Sequence, residues 1–183
     1  MQQQLLPHTV IDFWFTELKP QNWWQKDSAL DEMIARRFSS LHQQAASCEL
    51  SDWRGTGLGS LAEIIVLDQF SRNIYRDKPE SFASDSLALA LAQSAIAKGL
   101  DKELSQVQRS FLYMPFMHSE SKKIHSDAVT LFESLGMSDK IEFELKHKAI
   151  IDKFGRYPHR NDILGRRSTV EELSFLKQPN SRF

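Results

Sequence analysis

The stretch ESKKIHSDAVTLFESLGMSDKIEFELKHKAIIDKFG, residues 120–155, reads as two helices, each closed by a glycine. Ile124, Ala128, Leu131 and Leu135 recur at three- and four-residue intervals before Gly136. Phe143, His147, Ile150 and Phe154 do the same before Gly155. That period puts each set on one helical face, and glycine supplies the left-handed turn that ends a helix. The link between the two is short, so the helices pack antiparallel as a hairpin. Helices at 120–135 and 138–154 are the expectation.

The same signals recur on both sides. Thr9 is positioned to cap a short helix carrying Val10, Phe13 and Trp14 that ends before Pro20. Asp27 opens a second helix with Leu30, Met33, Ile34, Phe38 and Leu41 at helical spacing, while Arg36 and Arg37 face water. A loop, Glu49 to Gly57, holds Trp53. A third helix runs from about Leu58 to Asn73, apolar on most sides in its first half and therefore buried. Ser84 and Asp85 cap the alanine-rich segment Leu87 to Lys98, which Gly99 stops. A fifth helix spans Ser105 to Met117, kinked or ended by Pro115. The last begins at Ser168, where Ser168 with Glu171 and Thr169 with Glu172 form overlapping capping boxes, and Pro179 ends it. The expectation is therefore an all-α chain of about eight helices in stacked antiparallel hairpins. It forms a single domain, 1–183, with 176–183 as a C-terminal tail.

Composition excludes several classes. The chain of 183 residues is 41% hydrophobic and 26% charged with a formal net charge of −1, so no basic field argues for nucleic acid. Cys48 is the only cysteine, which rules out an internal disulfide and thiolate-built zinc sites. Residues 1–7 lack the basic and apolar regions of a signal peptide. The richest apolar run, Leu61 to Leu67, is short and contains Glu63, so it does not span a bilayer. A cytoplasmic location is expected. Trp23, Trp24 and Trp53 are read as cover for the core.

Each apolar stripe carries an ionisable residue. Leu61, Ile65, Asp68 and Arg72 share a face of the third helix, and Val107, Phe111, Met114 and His118 one of the fifth. Glu120 joins the stripe of the sixth and His147 that of the seventh. With up-down alternation, Asp68, Arg72, His118, Asp85, Glu120 and Ser168 fall at one end of the stack, with His147 as a floor. The segment Phe154-Gly155-Arg156-Tyr157-Pro158-His159-Arg160-Asn161 closes the same end; Pro158 stiffens it, and its guanidiniums suit carboxylate or phosphate.

The stretches Leu67-Asp68-Gln69-Phe70-Ser71-Arg72-Asn73, Pro115-Phe116-Met117-His118-Ser119-Glu120 and Phe154 to Asn161 resemble the bacterial domain-of-unknown-function family 924. Asp12-Phe13-Trp14-Phe15, Leu164-Gly165-Arg166 and Ser168-Thr169 extend the resemblance over nearly the whole chain. It implies a TPR-like α-α superhelix and no activity. Carried over by motif, it marks Asp68, Gln69, Arg72, Asn73, His118, Glu120, Arg156, His159, Arg160 and Asn161. Ser71 and Gly57 depart from it, standing where the family pattern usually has proline.

The functional expectation is a pocket for a small anionic ligand or an acidic peptide terminus. Asp68, Gln69, Arg72, Asn73, Arg156, His159, Arg160 and Asn161 would line it. His118, Glu120 and His147 are the candidates for proton transfer, in an order of roles the sequence does not assign. The alternative is a helical-repeat interaction module whose polar cluster is a structural hydrogen-bond network. A metal site from His118, Glu120, His147 and His159 lacks a standard ligand spacing, and the nearby arginines repel cations; no metal or cofactor is expected.

Overall fold

A computed structural model describes residues 6–179 and 181; residues 1–5, on which the signal-peptide reading mostly rests, and Asn180, Arg182 and Phe183 of the expected tail lie outside the described residues. The described residues are helical, without a strand. Two compact units divide the chain: Met1–Arg76 with Glu80–Pro115, and Asp77–Pro79 with Phe116–Phe183. None of the described helices is long and apolar enough to cross a membrane.

In the first unit, α1 (Pro7–Asp12) starts two residues before the expected cap Thr9. Pro7 takes the first helical position, where its fixed φ is already helical and its missing N–H costs nothing. The chain continues through a π turn, Phe13–Glu17. Asp27 caps α2 (Ser28–Ala46), its Oδ1 accepting the amides of Ala29 (2.9 Å) and Leu30 (3.2 Å). Leu30, Ile34, Phe38 and Leu41 are buried as the spacing requires, and exposed Arg37 pairs with Glu17. Thr56 caps α3 (Gly57–Ile65), which runs through a second π turn, Val66–Phe70, into α4 (Ser71–Ile74). The single expected helix is thus one rod with a wide turn in its middle.

Two further helices complete the unit. Ser84 precedes α5 (Asp85–Ala97) without a side-chain capping bond, and Asp85 accepts from Arg72. Gly99, at φ +73°, stops that helix. Pro115 does not end α6 (Gln106–Met117) but lies inside its last turn; the final two residues count with the second unit. The core is aromatic. Phe13, Phe38 and Phe70 meet at 4.7–5.9 Å between ring centroids, and Trp14 stands edge-on to Phe111 at 5.7 Å. Trp14 and Trp53 are buried, whereas Trp24 is 55% exposed, stacked on Phe111.

Gly57 and Gly59 explain how this end of α3 is built. The amide of Gly57 donates to Glu103 Oε2 at 2.7 Å, a bond that a proline at this position cannot make. A Cβ on Gly59 would lie 1.9 Å from the Trp53 carbonyl oxygen, a backbone atom with no freedom to swing aside. Gly59→Ala is therefore expected to destabilise the unit by about 1–3 kcal/mol through overpacking, read from its urea midpoint. An unchanged midpoint would show that the close approach is not maintained in solution.

The second unit is built on a hairpin. Ser121, one residue after the expected start at Glu120, caps α7 (Lys122–Ser134), and α8 (Ser138–Phe154) follows after Gly136 at φ +65°. Gly155 closes α8 at φ +70°. Of the two overlapping capping boxes, α9 (Val170–Phe175) uses Thr169 with Glu172. Ser168 instead accepts a hydrogen bond from Asn161 Nδ2 at 3.0 Å. The helix ends at Phe175, before Pro179.

The inward faces differ from expectation by about one residue. On α7 the buried side chains are His125, Ala128, Phe132 and, just beyond, Leu135, with Leu131 half-buried. On α8 they are Glu144, His147, Ile150 and Ile151, while Phe143 is 49% exposed. A helical period fixes the spacing of a stripe but not which of two adjacent stripes turns inward.

Candidate functional site

In the first unit, the wide turn of the rod carries Asp68 and Gln69, and α4 carries Arg72 and Asn73. Asp68 is buried; its carboxylate accepts from Gln69 Nε2 at 2.5 Å and pairs with Arg72 Nη1 at 3.1 Å, which donates to the Asp68 main-chain carbonyl at 2.7 Å. Arg72 reaches past it to grip Asp85 with both terminal nitrogens, at 3.0 and 3.1 Å. Asn73 Nδ2 donates to Asp31 Oδ1 at 2.8 Å, beside the forked grip of Arg76 on the same carboxylate. Burial pulls the Asp31 carboxyl upward, but these bonds outweigh it and hold it below its usual range. The result ties α4 to α2 and α5.

Ser71, the departure from the family pattern, has its own role here. Its hydroxyl donates to the Leu67 carbonyl at 2.6 Å, so the contact of 2.7 Å with His42 must be a donation from His42 Nε2. Burial pushes the His42 imidazole below its ordinary range, keeping it neutral.

In the second unit the segment after α8 organises the polar residues. Glu120 accepts from the main-chain N–H of Tyr157 at 2.7 Å and from both terminal nitrogens of Arg166, at 2.6 and 2.9 Å. Burial raises its carboxyl, but these donors and the charges of Arg166 and Arg160 outweigh burial, leaving it below the usual range. Arg156 grips Glu172 in the same two-pronged way, at 2.6 and 2.8 Å. Asn161, fully buried, bridges Arg166 through its oxygen and Ser168 and Glu172 through its amide.

Glu172 marks where this frame fails in acid. Its carboxyl is lowered to about 2, first by Arg156, with the Thr169 N–H and Asn161 adding to it against burial. A lowered carboxyl stabilises the fold above its unfolded value near 4.5 and loses that contribution as pH falls toward 2. Amide exchange in α9 is expected to quicken over this window, and Arg156→Gln should move the onset upward. Identical profiles for the two proteins would remove Arg156 as the cause.

At the centre stands Tyr157, 1% exposed. Its hydroxyl donates to the Met117 carbonyl at 2.5 Å and lies 3.1 Å from His125 Nε2. The rings of His159, His147 and His125 surround it at 5.5, 5.8 and 6.3 Å between centroids, and the Arg160 guanidinium lies 4.7 Å from the ring centre. Arg160 is itself buried and donates from Nη2 to the His118 carbonyl at 3.1 Å. His118 and His159 are half-buried. His147 Nδ1 donates to the Phe143 carbonyl at 2.8 Å. Burial, reinforced by the neighbouring His118, His125 and His159 against that one hydrogen bond, lowers its imidazole to about 3.

His125 and Glu144 were not among the expected residues. Both are 0% exposed and 2.6 Å apart, Nδ1 to Oε1. A carbonyl only accepts, so the 2.9 Å contact of His125 Nε2 with the Ser119 oxygen fixes a proton on Nε2. The pair then shares one further proton between Nδ1 and Oε1. Burial pushes the Glu144 carboxyl up, and its second oxygen has no hydrogen-bond partner among the described residues. Whichever of the two atoms holds that proton, the pair carries no net charge. Glu144 lies three residues before His147 on α8, a spacing that shares a helix face; that was the available signal.

Of the residues expected at one end of the stack, Asp68, Gln69, Arg72 and Asn73 therefore belong to the first unit. His118, Glu120, His147, Arg156, His159, Arg160 and Asn161 belong to the second. Among the described residues no three His, Cys, Asp or Glu side chains are arranged to hold a metal ion.

A family model described as a bacterial protein of unknown function, DUF924, matches residues 10–180. A solved structure of a protein of unknown function from Agrobacterium tumefaciens is 37% identical with a TM-score of 0.89, over 93% of this chain and 96% of that one. No curated protein matches the chain.

Proposed function

Since this chain belongs to DUF924, a bacterial family of unknown function, we propose a function from its own geometry: the second unit binds a small anionic ligand at the cluster centred on Tyr157. The observation that carries this reading is Arg160, a buried guanidinium that lies on the Tyr157 ring beside imidazoles and donates to the His118 carbonyl. A guanidinium so held keeps its charge and orientation, which suits an oxyanion.

Glu120, Arg156, Arg166, Asn161 and Glu172 form the frame, each engaged with another. His118 and His159 supply the rim and Tyr157 the platform. His147, neutral with its Nδ1 on a carbonyl, forms a floor rather than an acid at neutral pH. Asp68, Gln69, Arg72 and Asn73 act as helix clamps in the first unit. Binding without proton transfer by Glu120 or His147 is the reading these contacts favour. The runner-up, an interaction module, draws on Val170 and Leu173, which α9 leaves 86% and 50% exposed. A specific partner captured by the full chain and lost with Val170→Asp would favour it.

The ligand reading predicts a change in melting temperature. Inorganic phosphate at about a hundredfold excess over its Kd should raise it by roughly 5–10 °C. Arg160→Gln, folded by circular dichroism, should lose the rise. An equal rise in both proteins, or none in either, counts against the site.

A further inference from the structure

The first unit has a cleft of its own, between α3 and α5. Ser60 and Glu63, three apart on α3, belong to one wall. Leu91, Ser94 and Ala95 on α5, with Lys98 just after it, recur at helical spacing and form the other. Arg54, from the turn before α3, completes the lining.

The charges and hydroxyls of this cleft do not balance one another. Glu63 is fully buried, and Arg54 holds both its oxygens, each at 2.7 Å, so that pair is internally neutral. Lys98 forms no ion pair among the described residues, which leaves one positive charge over. Ser60 is 5% exposed, yet its hydroxyl has no hydrogen-bond partner among the described residues; only the main chain is engaged, its N–H donating to the Thr56 carbonyl. A buried hydroxyl left in that state costs free energy that an arriving acceptor would recover. The cleft therefore presents donors and no spare carboxylate, while Leu91 and Ala95 supply an apolar surface beside them.

We infer that this cleft binds the carboxylate of a small monocarboxylic acid, at a site separate from the cluster around Tyr157. The Ser60 hydroxyl donates to one carboxylate oxygen, and the Lys98 ammonium pairs with the other. Ser94, exposed on the same face of α5, adds a second hydroxyl at the mouth. The hydrocarbon end rests on Leu91 and Ala95. One surplus positive charge matches one carboxylate. A phosphoryl dianion would bring a second negative charge close to Glu63 with nothing to meet it, so phosphate is excluded here.

Acetate is the probe, followed through the main-chain amide resonances of the full chain. Saturable shifts are expected at Ser60, Ser94 and Lys98, with a Kd on the order of millimolar for so small a ligand. Acetamide, of the same shape without the charge, should leave these amides unmoved over the same range. Ser60→Ala and Lys98→Met should each weaken acetate about tenfold, the loss of one hydrogen bond to a charged group. Both variants should melt with the wild type, because neither side chain holds another element. Acetate without saturable shifts at these amides, or an equal Kd in all three proteins, overturns the site. Acetamide binding as tightly as acetate overturns the role of Lys98. Phosphate displacing acetate from these amides overturns the selection for a carboxylate, and none of these outcomes bears on Arg160.

Discussion

Replacing His125 with leucine is expected to destabilise the second unit by about 1–3 kcal/mol, the cost of leaving a buried polar group without its partner. His125 and Glu144 are both 0% exposed, and Glu144 already has one oxygen without a hydrogen-bond partner among the described residues. Without the imidazole, the carboxyl loses its other contact too, and the Ser119 carbonyl and Tyr157 hydroxyl lose theirs. Adding Glu144→Leu should recover a large part of the loss, because two apolar side chains in place of a matched pair leave nothing stranded. Urea unfolding of the two single variants and the double variant closes the cycle. Additive losses, or a loss below about 1 kcal/mol for His125→Leu, would show that the pair does not hold α7 to α8.

His147 should make the fold acid-labile well above the range where carboxylates titrate. Its imidazole is lowered from 6.5 to about 3, first by burial and then by the surrounding imidazoles. The unfolded chain therefore takes up a proton that the folded one refuses. That stability is fully present above pH 6.5 and is lost as pH falls toward 3. The loss from this one group is about 2 kcal/mol by pH 5 and on the order of 4 kcal/mol below pH 3. His42, also lowered by burial, acts in the same direction from the first unit. His147→Leu should flatten the slope between about pH 6.5 and 5 without lowering stability at pH 5. A slope unchanged in that variant would contradict the assignment.

How much of this was legible depends on whether a signal is local. Glycine stops at Gly99, Gly136 and Gly155, the Asp27 cap and the Thr169–Glu172 box act within one helical turn, and the structure places each where its neighbours dictate. The wide turns at Phe13–Glu17 and Val66–Phe70 carry no such mark, since any helix-forming residues tolerate one extra position per turn. Pro115 does not stop α6, which persists for two residues beyond it.

The polar residues follow the same division. Arg72, His147 and Arg160 were recognisable as inward from spacing and from the stiff segment around Pro158. Their partners were not: Arg72 turns to Asp85 and Arg156 to Glu172, thirteen and sixteen residues away in sequence, distances that no helical period fixes. His125 and Glu144 escaped because a carboxylate on a helix ordinarily faces water. In the sequence the apolar stripe through Phe143 therefore looks like the inner face.

Phosphate titration followed through the imidazole resonances tests the anion site most directly. The chain has six histidines, and nitrogen–proton correlation spectra separate their rings. The account predicts saturable shifts at His118 and His159, a smaller response at His147, and none at His8 or His42. Imidazoles of the second unit that stay unmoved at saturating phosphate, or shifts at His8 and His42 as large as theirs, would contradict it.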